Sequence, residues 1–124
     1  MRLTTLWVVM YALLIIGLSS IPGHSFPSYR WLSQDKVIHL LEYLIFAMLI
    51  SQAMLVRGVT GVRVFMFTVL LAGVFGVLDE LYQLLIPGRD ASYQDWVADV
   101  IGVCLGSWIY LIIWKYLRDQ ATTG

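Results

Sequence analysis

The sequence predicts an all-α fold, a four-helix transmembrane bundle, and three observations carry that prediction. Of 124 residues, 60% are hydrophobic and only 13% charged, about half the charged share of ordinary soluble domains. The mean hydropathy is +0.80, which excludes a water-soluble globule and a disordered chain alike. The apolar residues fall into four stretches, separated by segments that hold nearly all the Pro, Ser and charge. Backbone groups in hydrocarbon must be satisfied within the segment, so stretches of about 20 residues read as helices. The zero net charge leaves no basic surface for phosphate backbones, so no nucleic-acid partner is expected. Residues 1–124 form one domain. Cys104 lies alone in an apolar run, so no disulfide forms within the chain.

The first stretch, about Thr4–Ser20, ends at the Ile21-Pro22-Gly23 breaker. Arg2 precedes it as in a signal peptide, but no small-x-small cleavage site follows, so it reads as an uncleaved anchor. The second stretch, about Lys36–Val56, stops at Arg57-Gly58, and the third, Val62–Ile86, is closed by Pro87-Gly88. The fourth, Asp95–Tyr116, leads into a polar tail. Pro and Gly at these junctions are helix terminators. Ser92, three residues before Asp95, reads as half of a capping box. With the N-terminus inside, the cytoplasmic side carries Arg2, Arg57, Arg63, Lys115 and Arg118, against Arg30, Lys36 and Arg89 outside. The positive-inside rule then favours both termini in the cytoplasm and a multi-pass protein of the bacterial inner membrane. Tyr29, Trp31, Tyr93 and Trp96 form an outer aromatic belt, and Trp7, Trp114 and Tyr116 an inner one.

In this topology seven of the eight acidic residues lie at the outer face, and only Asp119 lies inside. Asp35, His39 and Glu42 are spaced i, i+4, i+7, on one face of the second helix. Asp79 and Gln83 share a face of the third, with Glu80 about 100° around. Asp95 and Asp99 share a face of the fourth, continued inward by Gly102 and Gly106. At 1.5 Å per residue, Asp79 is about 10 Å, Glu42 about 9 Å and Asp99 about 6 Å below the helix ends. A charged residue in a membrane helix costs at least ~2.5 kcal/mol, so such groups face one another or a wet cavity. Small residues (Gly102, Gly106, Ala72 and Gly76) let the helices approach closely. These positions predict a polar cleft between the helices, facing the outside.

Carboxylates beside an imidazole can hold a divalent cation or move a proton. The candidate catalytic residues are His39, Glu42, Asp79 and Glu80, and the candidate metal ligands are Asp35, His39, Glu42 and Asp79. Lys36, Tyr43, Gln83, Arg89, Asp95 and Asp99 are candidate substrate-binding residues, with Arg89 able to clamp an anion bidentately or to pair with Asp95. The bland alternative is a hydrogen-bonded cluster that fixes helix register, with Arg30, Lys36 and Arg89 as counter-ions. Register needs only one or two such groups, whereas this layer has seven acids and His39. His24, in a Ser/Pro/Gly-rich loop, reads as solvated. No His-Glu-x2-His zinc motif and no Gly-x-Ser-x-Gly elbow is present.

Asp35-Lys36-x2-His39-x2-Glu42-Tyr43, then Asp79-Glu80-x2-Gln83-x3-Pro87-Gly88-Arg89, then Ser92-x2-Asp95-x3-Asp99-x2-Gly102-x3-Gly106, resemble the VanZ-like membrane protein family. The motif-bearing core is 35–106, and the first helix matches only in kind. Asp99 stands where the family pattern usually has Asn, which makes this layer more acidic. The resemblance implies a small bacterial protein of the cell envelope whose family namesake is associated with resistance to the glycopeptide teicoplanin. It does not assign a reaction. The first expectation is therefore a protein that binds or modifies an envelope lipid or lipid-linked precursor through the acidic cleft. The alternative is a metal-dependent or acid/base membrane enzyme acting on a lipid-linked phosphate or envelope substrate. A proton or cation transporter ranks behind both, because no polar residues are expected to continue the path through the cytoplasmic half.

Overall fold

Four helices follow the four apolar stretches: α1 (Leu3–Ser19), α2 (Leu32–Leu55), α3 (Val62–Gln83) and α4 (Tyr93–Thr123). The computed structural model describes residues 2–25 and 32–123, without the side chains of His24 and of residues 32–35. Tyr29, Arg30 and Trp31 thus lie outside the described residues, as does the side chain of Asp35. Three helices are long and apolar enough to cross a membrane, over Lys36–Leu55, Val62–Gln83 and Tyr93–Thr123. Helix α1 has 17 residues, about 26 Å of rise against a hydrocarbon core of about 30 Å. The chain is therefore an all-α bundle of four helices and a multi-pass membrane protein.

Three boundaries differ by three residues or more from the sequence expectation, the first being the start of α2 at Leu32 rather than Lys36. Helix α3 ends at Gln83 rather than Ile86, because the chain turns there through Tyr82 O to Leu85 N and Gln83 O to Ile86 N bonds. Asp79 consequently lies only about 6 Å from its helix end. Gly88, at φ 74°, then takes a left-handed conformation open to glycine at little cost, which reverses the chain after Pro87. Helix α4 continues through the polar tail to Thr123. No breaker follows Tyr116 before Gly124, and Thr122 and Thr123 donate to Asp119 O at 2.9 and 3.0 Å.

The bundle is polar inside and apolar outside, as a membrane solvent requires. Leu70, Leu78, Trp108 and Ile112 face outward, while His39, Asp79, Glu80, Gln83 and Asp99 are buried. A small apolar core lies below them, built on Ile15, Tyr43, Phe46, Ile50, Ala72 and Val103. Phe46 stands edge-on to Tyr43 at 6.1 Å and beside Phe75 at 5.1 Å, within the range of favourable ring pairs.

The Gly102–Gly106 stripe packs within the chain. A Cβ at Gly102 would fall on the Leu40 carbonyl oxygen, and one at Gly106 on that of Leu44. Helices α2 and α4 thus touch backbone to backbone, which brings His39 and Asp99 within reach of each other. One expectation about the interior is corrected. Ser51, Thr68 and Ser107 lie fully buried in the half away from the acids, so that half does contain polar side chains. Ser51 Oγ lies 3.2 Å from Thr68 Oγ1 and donates to Ser107 Oγ at 3.1 Å. Hydroxyls can be buried there because they satisfy one another.

Candidate functional site

The α2–α4 contact sets the first pair of the site. His39 Nδ1 is 3.0 Å from Asp99 Oδ1, an imidazole and a carboxylate that are both buried. The second carboxylate comes from α3. Glu80 points toward the start of α4, and its Oε2 accepts the Ser92 N–H at 2.7 Å. Ser92 in turn accepts the Asp95 N–H through Oγ at 3.3 Å. The expected capping box is therefore completed from another helix, with Glu80 in the place that Asp95 would fill. Asp95 instead receives Lys36 Nζ at 3.4 Å.

His39, Glu80 and Asp99 each offer one donor atom, all lying within 4.8 Å of one another. Each comes from a different helix, α2, α3 and α4. Glu80 Oε1 and Asp99 Oδ2 are buried with no hydrogen-bond partner. The free oxygen of Asp99 lies against Gly76, whose missing side chain leaves room between Asp99, Trp96 and Tyr43. The Tyr43 hydroxyl is likewise buried without a partner.

A second acid stands beside this trio. Asp79 Oδ2 accepts Ser19 Oγ at 2.8 Å and Gln83 Nε2 at 3.3 Å, while Oδ1 has no partner. Tyr82 and Ser20 join the same rim through hydroxyls 2.9 Å apart. Glu42 is half-buried and interacts electrostatically with His39, Asp79, Asp99 and Arg89. Arg89 Nη2 donates to Leu18 O at 3.1 Å, and Gly23 N–H donates to Pro87 O at 3.0 Å. These two bonds tie the end of α1 to the loop before α4.

Of the metal ligands proposed from sequence, His39 lies in the coordination-sized trio, and Glu80 and Asp99 join it there. Asp79 and Glu42 lie in the same layer beside the trio. Helical angle alone separated Asp79 from Glu80 by about 100°; the packing of α3 against α2 and α4 puts Glu80 with His39 and Asp99. Ser19 escaped the sequence reading altogether. Its only signal was a pair of serines closing an apolar helix.

The donor set is one imidazole nitrogen with carboxylate oxygens, a mixture that suits zinc, manganese or iron(II) rather than a soft-metal site. Burying several carboxylates with unpartnered oxygens is costly unless positive charge compensates them. A divalent cation held by His39, Glu80 and Asp99 would supply that charge, and the unpartnered oxygens would offer it ligand positions. The residues present therefore fit such an ion.

Together, fold and site define a small polytopic membrane protein whose helices converge on a buried histidine–carboxylate cluster. The chain belongs to the VanZ/LLP1 family, whose model matches residues 5–114. That match extends past 35–106 to include α1, which contributes Ser19. No curated protein and no solved structure matches the chain.

Proposed function

We propose that this protein is a metal-dependent membrane enzyme acting on a lipid-linked phosphate or related envelope substrate at the outer face. One observation carries the reading: His39, Glu80 and Asp99 from three helices lie within 4.8 Å, with buried carboxylate oxygens left unpartnered. A bound divalent cation would polarise a phosphoryl oxygen or lower the pKa of a water. His39, Glu80 and Asp99 would hold it. Glu42 or Asp79 is the proton acceptor, Asp79 being oriented by Ser19 and Gln83. Tyr43 offers a hydroxyl to substrate oxygen, and Lys36 and Arg89 lie at the rim for an anionic group. Ligand binding without chemistry has less support, since His39, Glu80 and Asp99 meet at a separation suited to one metal ion.

The test is elemental analysis of the purified protein together with phosphate release from a lipid-linked diphosphate in vesicles. Near-stoichiometric zinc, manganese or iron is expected. His39→Gln and Glu80→Gln should lower both metal content and turnover at least ~100-fold, more than loss of an outer-shell partner costs. Protein that holds no metal, with Glu80→Gln as active as the parent, would sink the reading. Stoichiometric metal without turnover of any lipid-linked substrate would favour binding over catalysis.

A further inference from the structure

At the opposite end of the bundle from the acids, a polar pocket and an apolar groove meet at one residue. The pocket, about 280 Å³, lies in the α2–α3 connection and is lined by Arg57, Thr60 and Arg63. The groove, about 340 Å³, runs over α2 between α1 and α3, along Val8, Ile50, Met54 and Phe75. Arg57 lines both.

Among the described residues no acid compensates the charge there. Arg57 donates to Ala53 O at 2.6 Å and to the Thr5 hydroxyl, both neutral acceptors. Arg2 donates to the neighbouring Val56 O at 2.6 Å, and Arg63 is exposed. Among the described residues the ion pairs are Lys36–Asp95, His39–Asp99 and Arg118–Asp119, so no carboxylate meets Arg57 or Arg63. No side chain caps the start of α3 at Gly61 either, and that helix end adds partial positive charge to the same pocket.

The dimensions select the ligand. Phe46, which also lines the groove, lies nine residues or about 14 Å of rise before the end of α2 at Leu55, with Arg57 just beyond that end. That matches one leaflet's share of a hydrocarbon core of about 30 Å. A pocket with cations and no acid suits a phosphate without an accompanying ammonium group. Basic pockets between membrane helices are known to take anionic head groups.

We propose that this end of the bundle binds one anionic phospholipid, its phosphate between Arg57 and Arg63 and one acyl chain in the groove. The lipid comes from the leaflet opposite the histidine–carboxylate cluster, so the site stands independently of the function proposed for that cluster. Its occupancy fastens α1, which has the shortest apolar span, to α2 and α3.

Native mass spectrometry of the full chain in detergent tests this with phosphatidylglycerol, phosphatidylcholine and inorganic phosphate as probes. One phosphatidylglycerol per chain is expected, with phosphatidylcholine bound at least fivefold more weakly and millimolar phosphate unable to displace the lipid. Arg63→Gln should weaken phosphatidylglycerol about fivefold and leave phosphatidylcholine unchanged. Val8→Trp, checked for helicity by circular dichroism, should block the groove and lower lipid occupancy while the arginines remain. Equal binding of the two lipids, or an Arg63→Gln protein with unchanged preference, would overturn the proposal. So would full displacement by inorganic phosphate, which would reduce the pocket to a simple anion site. Because Arg63 is exposed and its side chain bonds to no other helix among the described residues, that variant tests the site even if Val8→Trp fails to fold.

Discussion

The two polar layers inside this bundle are built alike and finished differently. In one, Ser51, Thr68 and Ser107 come from α2, α3 and α4 and satisfy one another. In the other, about 12–18 Å along the helices, His39, Glu80 and Asp99 come from the same three helices. That second layer leaves Glu80 Oε1, Asp99 Oδ2 and the nearby Asp79 Oδ1 without partners. A polar cluster whose only role is to hold helices together closes its hydrogen bonds, since each open one is expensive in a dry interior. Hydroxyls can close such a network because each both donates and accepts. Ionised carboxylates only accept, so a layer rich in them needs cations or donors from elsewhere. The layer that stays open is the one whose residues fit a bound cation.

The largest expected effect removes the comparison altogether. Gly102→Val places side-chain atoms on the Leu40 carbonyl, and backbone cannot yield as a side chain can. A loss of at least ~3 kcal/mol, at the upper end of overpacking costs, should appear as early unfolding in an SDS-mixed-micelle titration. Both layers are lost together, because both rest on the α2–α4 contact.

A matched pair separates the layers. Asp99→Asn keeps an oxygen facing His39 but removes a charge, and should cut divalent-cation affinity at least ~100-fold with little change in folding. Ser51→Ala takes away two hydroxyl contacts and should cost about 1 kcal/mol of stability with cation binding intact. Isothermal titration with zinc or manganese, alongside unfolding, reads both. If Ser51→Ala impaired cation binding as much as Asp99→Asn, the two layers would be one coupled network.

The smallest effect sharpens the rim. Lys36 meets Asp95 at 3.4 Å, with Lys36 about a third exposed. Lys36→Met should therefore change stability by at most ~0.5 kcal/mol, as for other partly exposed pairs. A larger change in turnover than in unfolding would place Lys36 on the substrate.

Much of this was legible in the residues. The four apolar stretches gave four helices, and rise per residue put Glu42, Asp79 and Asp99 toward one end of the bundle, with His39 on the face of Glu42 and Gln83 on that of Asp79. The Gly102–Gly106 spacing announced a close helix contact. Ser19, by contrast, was unreadable as a partner for Asp79, since its sixty-residue separation carries no periodic signal. The hydroxyl layer was missed for a related reason: single Ser and Thr residues in apolar helices look solitary until three helices meet. The Ser92 cap was half legible, because local sequence supplied Ser92 and Asp95 but gave no hint of Glu80.

By itself, the sequence determined the membrane as solvent, the number of helices and the end of the bundle where the acids gather. Each follows from hydropathy and from rise per residue, which are local. Only the tertiary structure decided that Glu80 rather than Asp79 faces His39, that Asp95 is drawn off to Lys36, and which oxygens remain unpartnered. Those outcomes depend on the tilt and rotation of α3 against the closed α2–α4 seam. That geometry is set by side-chain packing over the whole length of the helices, and no short stretch of sequence contains it.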